Sequence, residues 1–270
     1  LLNMYPLVSL SDKVFTMKKL NILLVLTLFF VSACSDEDKD NNNDNNDPPN
    51  HQDYHYQSVG ASAEDMTTDE SFKTIIVDLV HVEGHAPSQE ALNTTEQFLS
   101  ETLDKPGGIS FSISTIPSPG KESYSSSDIR DIEDDYRTLK NEDDQLAIFA
   151  FYADQHYTSN ESVLGIAYLN TSIALFSSQI ESNSGGLNQP SKSLLEATVL
   201  NHEFGHLLGL VNNGTPMQTD HQDEANGHHC DNEDCLMYWS VETSDALGNL
   251  IGNDNPPPLG EECTADLQAY

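Results

Sequence analysis

"SKSLLEATVLNHEFGHLLGL", residues 191–210, decides how this chain is read. Ser193 and Glu196 stand in the S-x-x-E spacing of a capping box, so a helix is expected to start at 193 or 194 and run to Gly209, where a left-handed turn would end it. On that helix His202 and His206 lie four apart, so both imidazoles project from one face about one turn apart and can donate to one metal ion. Glu203 lies beside them, placed to take a proton from water while the ion polarises a carbonyl. A bare H-E-x-x-H also arises by chance on buried amphipathic helices. Its place on a capped apolar helix closed by glycine favours zinc.

Working back from this helix, the chain alternates strands and helices. "FKTIIVDLVHVEG" (72–84) and "QLAIFAFYA" (145–153) read as strands, "ISFSISTI" (109–116) as a half-buried strand, and 163–169 with 172–180 as two strands turning at Asn170-Thr171. Ser88 suits the cap of a helix with Leu92, Thr95, Leu99 and Leu103 on one face. A second helix is expected over 127–140, with Ile129, Ile132, Tyr136 and Leu139 inward. The order implies an α/β (α+β) domain, a mixed sheet with packed helices. Its expected span is 71–270.

With Gly209 the motif lengthens to H-E-x-x-H-x-x-G, and here the chain resembles the metzincin clan of zinc peptidases. The clan's third ligand stands three residues beyond that glycine, where this sequence has Asn212, whose neutral carboxamide is a poor zinc ligand. Downstream, "HCDNEDCLM" (229–237) resembles the segment that in archaemetzincins supplies the third histidine, two cysteines and the methionine of the Met-turn. The resemblance covers about residues 160–240 and implies His202, His206 and His229 as zinc ligands, Glu203 as general base and Met237 as Met-turn, with an insertion of about seventeen residues before His229. The strand near 167–178 would then be the edge on which an extended substrate pairs. His221, inside the insertion, is the alternative third ligand. A gluzincin-like hydrolase would instead use a later glutamate, for which Glu242 is the candidate. Tyr238 and Trp239 read as packing beneath the site. The C-x-x-C that completes a second, four-cysteine zinc site in archaemetzincins is missing. Only Cys263 remains, so the resemblance implies one catalytic zinc ion rather than two and favours a Cys230–Cys235 disulfide.

The N-terminal region carries a different signal. Met17, Lys18 and Lys19 precede an apolar run, Leu20–Val31, and Ser32-Ala33-Cys34 follow, the pattern of a secretory signal with a lipoprotein cleavage box. The run is shorter than the ~20 residues that span a bilayer. Residues 1–33 are therefore expected as an upstream extension and signal peptide, with Cys34 as the lipidation site. Residues 34–70 begin "CSDEDKDNNNDNNDPPN" and read as an acidic Asn/Asp-rich tether, too poor in apolar side chains to fold alone. The expected location is the outer membrane of a bacterium, facing outward.

The 44 acidic and 11 basic residues give a formal charge of −33, or −35 from Cys34 onward, which disfavours nucleic acid as a partner. Calcium is a minor expectation at "DIEDDY" (131–136) and "NEDD" (141–144), neither of which has EF-hand spacing. The combined expectation is a lipid-anchored, exported zinc endopeptidase acting on protein or peptide substrates. A surface adhesion module with a structural or relic zinc site is the reading from another class.

Overall fold

The structure, a computed structural model, describes residues 54–270. The signal segment, Cys34 and the first part of the acidic tether lie outside the described residues. In chain order the elements are α1 (Ala63–Thr67), β1 (Thr74–Val82), α2 (Gln89–Thr102), β2 (Gly108–Ile116), α3 (Ser126–Tyr136), β3 (Gln145–Ala153), β4 (Gly165–Leu169), β5 (Ser172–Phe176), α4 (Ser177–Ser182), α5 (Lys192–Leu207), two 3-10 turns (Trp239–Glu242 and Ser244–Leu250) and α6 (Glu261–Leu267). This is a mixed α/β architecture. The five strands run in the order β2-β1-β3-β5-β4, all parallel except β4, which pairs antiparallel with β5.

Both faces of the central strands are covered, which is why β1 and β3 read as nearly continuous apolar runs. Alternate residues feed two cores: Ile75, Val77 and Leu79 pack with Leu99 of α2 and Leu195, Val199 and Phe204 of α5, whereas Val80 and Val82 pack with Ile129 and Ile132 of α3. β2 is an outer strand and mostly exposed.

Four local expectations change. The helix at 126–136 ends before Leu139, because Arg137 turns inward to pair with Glu133 at 2.6 Å in a buried ion pair, leaving Tyr136 outside. Residues 177–182 are helical, so the last strand stops at Phe176. The cap of α5 is Ser191, whose side chain accepts from the Leu194 N–H at 3.2 Å. Glu196 acts elsewhere, since its buried carboxylate accepts from the Ser88 N–H at 2.9 Å and so ties the start of α2 to α5. Packing also reaches into the expected tether, because α1 buries Ala63 and Met66, the latter in the main core.

Gly209 follows α5 with φ +69°, and a Cβ there would stand 2.6 Å from the Thr215 backbone nitrogen. That left-handed turn folds the next loop back onto the helix end. Gly60, at φ +79°, meets the same loop so closely that a Cβ would collide with the Asn213 carbonyl. The segment before α1 is thereby pinned beside the end of the H-E-x-x-H helix.

Candidate metal centres

α5 carries His202 and His206 on its cleft side, with ring centroids 4.8 Å apart. The third imidazole is that of His229, 5.3 Å from His202 and 5.0 Å from His206 by ring centroid. His202 Nδ1 donates to the Leu236 carbonyl at 2.7 Å and His229 Nδ1 to the Asn226 carbonyl at 2.6 Å. These bonds fix each ring and, in the neutral tautomer, leave Nε2 as a lone-pair donor aimed at the shared space. Both Nε2 atoms are buried with no hydrogen-bond partner, a costly arrangement in a core unless something else binds them. Burial pushes the His202 pKa down to about 3, and burial also lowers that of His206. Burial acts the same way on His229, but the Glu242 carboxylate outweighs it and raises the value.

The loop that presents His229 is anchored to α5. Met237 is fully buried, and a Cβ on Gly205 would lie 2.2 Å from its Sδ, so only glycine lets the Met237 segment seat beneath the helix. The Cys230 N–H donates to the Met237 carbonyl at 2.8 Å, closing the loop from Cys230 to Met237. This loop supplies both His229 and the carbonyl of Leu236 that orients His202.

Glu203 is fully buried and neither carboxylate oxygen has a hydrogen-bond partner. Burial, and next the charge of Glu242, push its pKa well above the usual carboxylate range. A Cβ on Gly165 would meet Glu203 Oε1 at 2.7 Å, so glycine at the start of β4 allows the strand to pass directly over the glutamate. β4 is one edge of the sheet, β2 the other. The expected edge, 167–178, therefore narrows to β4, because β5 lies between β3 and β4. A cleft of about 630 Å³ runs along this edge, lined by Ile166, Ala167, His206, His229, Glu242 and, from the N-terminal segment, Val59.

Asn212 lies on the cleft wall with φ +59°, its side chain bonded to Gln222 at 3.1 Å, apart from the histidine cluster. His228 bonds to the Val211 carbonyl at 3.2 Å. His221 does not reach the cluster either. It is buried among the cysteines, with Nδ1 at 3.4 Å from Cys230 Sγ and 3.9 Å from Cys263 Sγ, and Nε2 donating to Asp266 at 2.8 Å.

The expected Cys230–Cys235 disulfide is not formed: Cys230, Cys235 and Cys263 are all free and buried. Cys235 Sγ instead lies 3.6 Å from Cys263 Sγ, far beyond a bond of ~2.05 Å. It also accepts N–H groups from Gly260 at 3.1 Å and Met237 at 3.4 Å. The Cys230 and Cys263 thiols, with those N–H groups, hold the Cys235 pKa down to about 3, whereas the neighbouring thiols push Cys263 up. Two sulfurs and one imidazole thus converge, with the Cys235 sulfur beside Cys263, and a carboxylate fixes the far nitrogen of that imidazole.

Two donor sets therefore exist among the described residues: His202, His206, His229 and Glu242, and His221, Cys230 and Cys263, with Cys235 beside them. The acidic runs 131–136 and 141–144 contribute to neither.

No family model and no curated protein matches the chain. Among solved structures, archaemetzincin from Methanopyrus kandleri is similar over 74% of this chain and 96% of that one, at 20% identity and a TM-score of 0.48. Metalloproteinase-II from Bacteroides fragilis is similar over 75% of this chain and 54% of that one, at 14% identity and a TM-score of 0.42. Both likenesses are too distant to assign chemistry, which rests on the donor geometry.

Sequence reasoning missed three parts of the site. It weighed Glu242 only as a replacement for His229, yet the two face each other. It paired Cys230 with Cys235 because no fourth sulfur was in sight, and a histidine takes that place. It gave Ser58 to Ala61 to a tether, although Ser58, Val59 and Ala61 line the cleft. The Gly60 contact with Asn213 is a through-space signal that spacing along the chain does not carry.

Proposed function

We propose that the protein is a zinc-dependent endopeptidase. The observation that carries this reading is the convergence of three imidazoles, two with orphaned, buried Nε2 atoms, beside the buried Glu203 carboxylate of the helix that carries two of them. Nitrogen-rich sets of this kind suit zinc, and the unsatisfied Nε2 atoms are what such an ion would satisfy. A zinc ion held there would bring the pKa of water toward ~7 and polarise the scissile carbonyl. His202, His206 and His229 would hold the ion, with the orientation of His202 and His229 set by the Leu236 and Asn226 carbonyls. Glu203 accepts the proton of the attacking water and delivers it to the leaving amine. An extended peptide adds along the free edge of β4 by backbone pairing, with its scissile bond beside Glu203. The cleft is open along this edge, which favours internal bonds of a chain over its ends.

His221, Cys230 and Cys263, with Cys235 beside them, would hold a second zinc ion of structural rather than catalytic use. The Asp266–His221 bond and the two N–H donors to Cys235 are the outer contacts that such a site uses. Such an ion would tie Cys263 of α6 to the Cys230–Met237 loop that presents His229.

Cys34 carries the lipid that anchors the exported chain at the outer membrane. No described helix is long and apolar enough to cross a membrane. Cys34→Ser should abolish lipid labelling and release the protein from membranes; unchanged labelling would refute the anchor.

Glu203→Gln tests the activity. The variant should retain zinc and lose ~10² to 10⁴ in peptide hydrolysis, the usual contribution of a general base. Full hydrolysis by a zinc-loaded Glu203→Gln protein would refute the role. A structural or relic site, the alternative, predicts zinc without hydrolysis in the wild type as well.

A further inference from the structure

Glu242 ends the short 3-10 turn that follows Met237, and its carboxylate enters the histidine cluster. Its Oε2 lies 3.8 Å from His202 Nε2, 3.8 Å from His206 Nε2 and 3.6 Å from His229 Nε2. In a tetrahedral zinc site with bonds of ~2.0–2.1 Å, the ligand atoms stand ~3.4 Å from one another. Glu242 therefore occupies the fourth corner of the set, the place where a peptidase needs water or a substrate carbonyl.

The electrostatics point the same way. The Nδ1 atoms of His202 and His229 donate to carbonyls, so in the neutral rings their Nε2 atoms present lone pairs toward the carboxylate oxygen. A carboxylate facing imidazole lone pairs is unfavourable without a cation between them. The carboxylate is also placed to leave. Its side chain is 25% exposed and borders the cleft, whereas His202 is fully enclosed. The backbone around it is tied to the entry of β4: the Leu164 N–H donates to the Glu242 carbonyl at 2.8 Å and the Ser244 N–H to the Ser162 carbonyl at 2.8 Å. A peptide pairing along β4 would thus press on the segment that carries Glu242.

Resting on the zinc reading above, we propose that Glu242 is a displaceable fourth ligand that closes the catalytic zinc site in the resting protein and swings into the cleft when a substrate or chelating group enters. The protein is then latent by its own fold, with no separate pro-segment needed to cover the metal.

Cobalt-substituted full-length protein tests this without relying on turnover. The visible d–d absorption, zinc affinity by chelator competition and binding of acetohydroxamate are compared between wild type and Glu242→Ala, with Glu242→Gln as the shape-conserving control. Glu242→Ala and Glu242→Gln should alter the cobalt spectrum, weaken zinc binding by at least ~10-fold, and bind acetohydroxamate at least ~10-fold more tightly than wild type, because the probe no longer competes with a protein ligand. Identical spectra and affinities in all three proteins would overturn the assignment. Wild type that never binds the probe at saturation, while Glu242→Ala does, would make Glu242 a permanent ligand and overturn its displacement. Failure of the underlying zinc reading looks different: His202→Ala would then leave the cobalt spectrum of the wild type unchanged.

Discussion

Met237 and Gly205 are in such close contact that the side chain of one occupies the place where a side chain of the other would begin. The helix supplies His202, Glu203 and His206, and the Met237 segment supplies the carbonyl that orients His202 together with His229 at its other end. Their contact sets the distance between the two halves of the metal site.

Gly205→Ala should therefore destabilise the zinc-loaded protein by about 1–3 kcal/mol, the usual cost of overpacking a core. Met237→Ala alone should also cost stability, by the cavity it opens in the core, and the double variant should lose less than the sum of the two single losses, since the clash disappears in it. Urea unfolding of the two single variants and the double variant at matched zinc checks this; additive losses would show that the two residues do not share the space.

The second donor set makes its own prediction. Asp266→Asn should weaken binding of one zinc ion by ~10 to 100-fold, the usual effect of losing the partner of a ligating histidine. His221→Ala should cost more. Thiol labelling reads the result directly: Cys230, Cys235 and Cys263 should be protected in the zinc-loaded wild type and react in the chelated protein. Equal reactivity with and without zinc would remove the second site.

Arg137 and Glu133 form a buried pair 2.6 Å apart, and the guanidinium also donates to the Ala147 carbonyl at 2.7 Å. Arg137→Ala should cost about 3–5 kcal/mol, because Glu133 is left as an unpaired buried charge. Glu133→Gln with Arg137→Met should recover much of it. The measurement is chemical unfolding at pH 7, and the metal content of both variants should match the wild type, since this network lies away from the cleft.

The strands and the two longer core helices were legible because their apolar periods are regular: β1, β3, α2 and α5 fall where residue pattern puts them. What pattern misassigned has a tertiary cause. Glu196 looks like a capping-box partner of Ser193, but it serves the N-terminus of α2, more than a hundred residues earlier in the chain. Arg137 would extend a helix on propensity, and its pairing with Glu133 ends that helix. His221 lies in an insertion that gives no periodic signal, and only folding brings it to Cys230 and Cys263. Glu242 was visible as an acid downstream of the motif, yet nothing in its spacing says that it faces His229.

Zinc stoichiometry of purified, folded protein tests the central claim most directly, with wild type, His229→Ala and His221→Ala equilibrated at the same pH and free zinc and each variant's hydrolysis of a peptide followed alongside. Wild type should hold two ions. His229→Ala should hold one and lose hydrolysis, and His221→Ala should lose the other ion while the catalytic ion remains. If His221→Ala empties the site that supports hydrolysis and His229→Ala leaves it filled, the assignment of His202, His206 and His229 as the catalytic set is wrong.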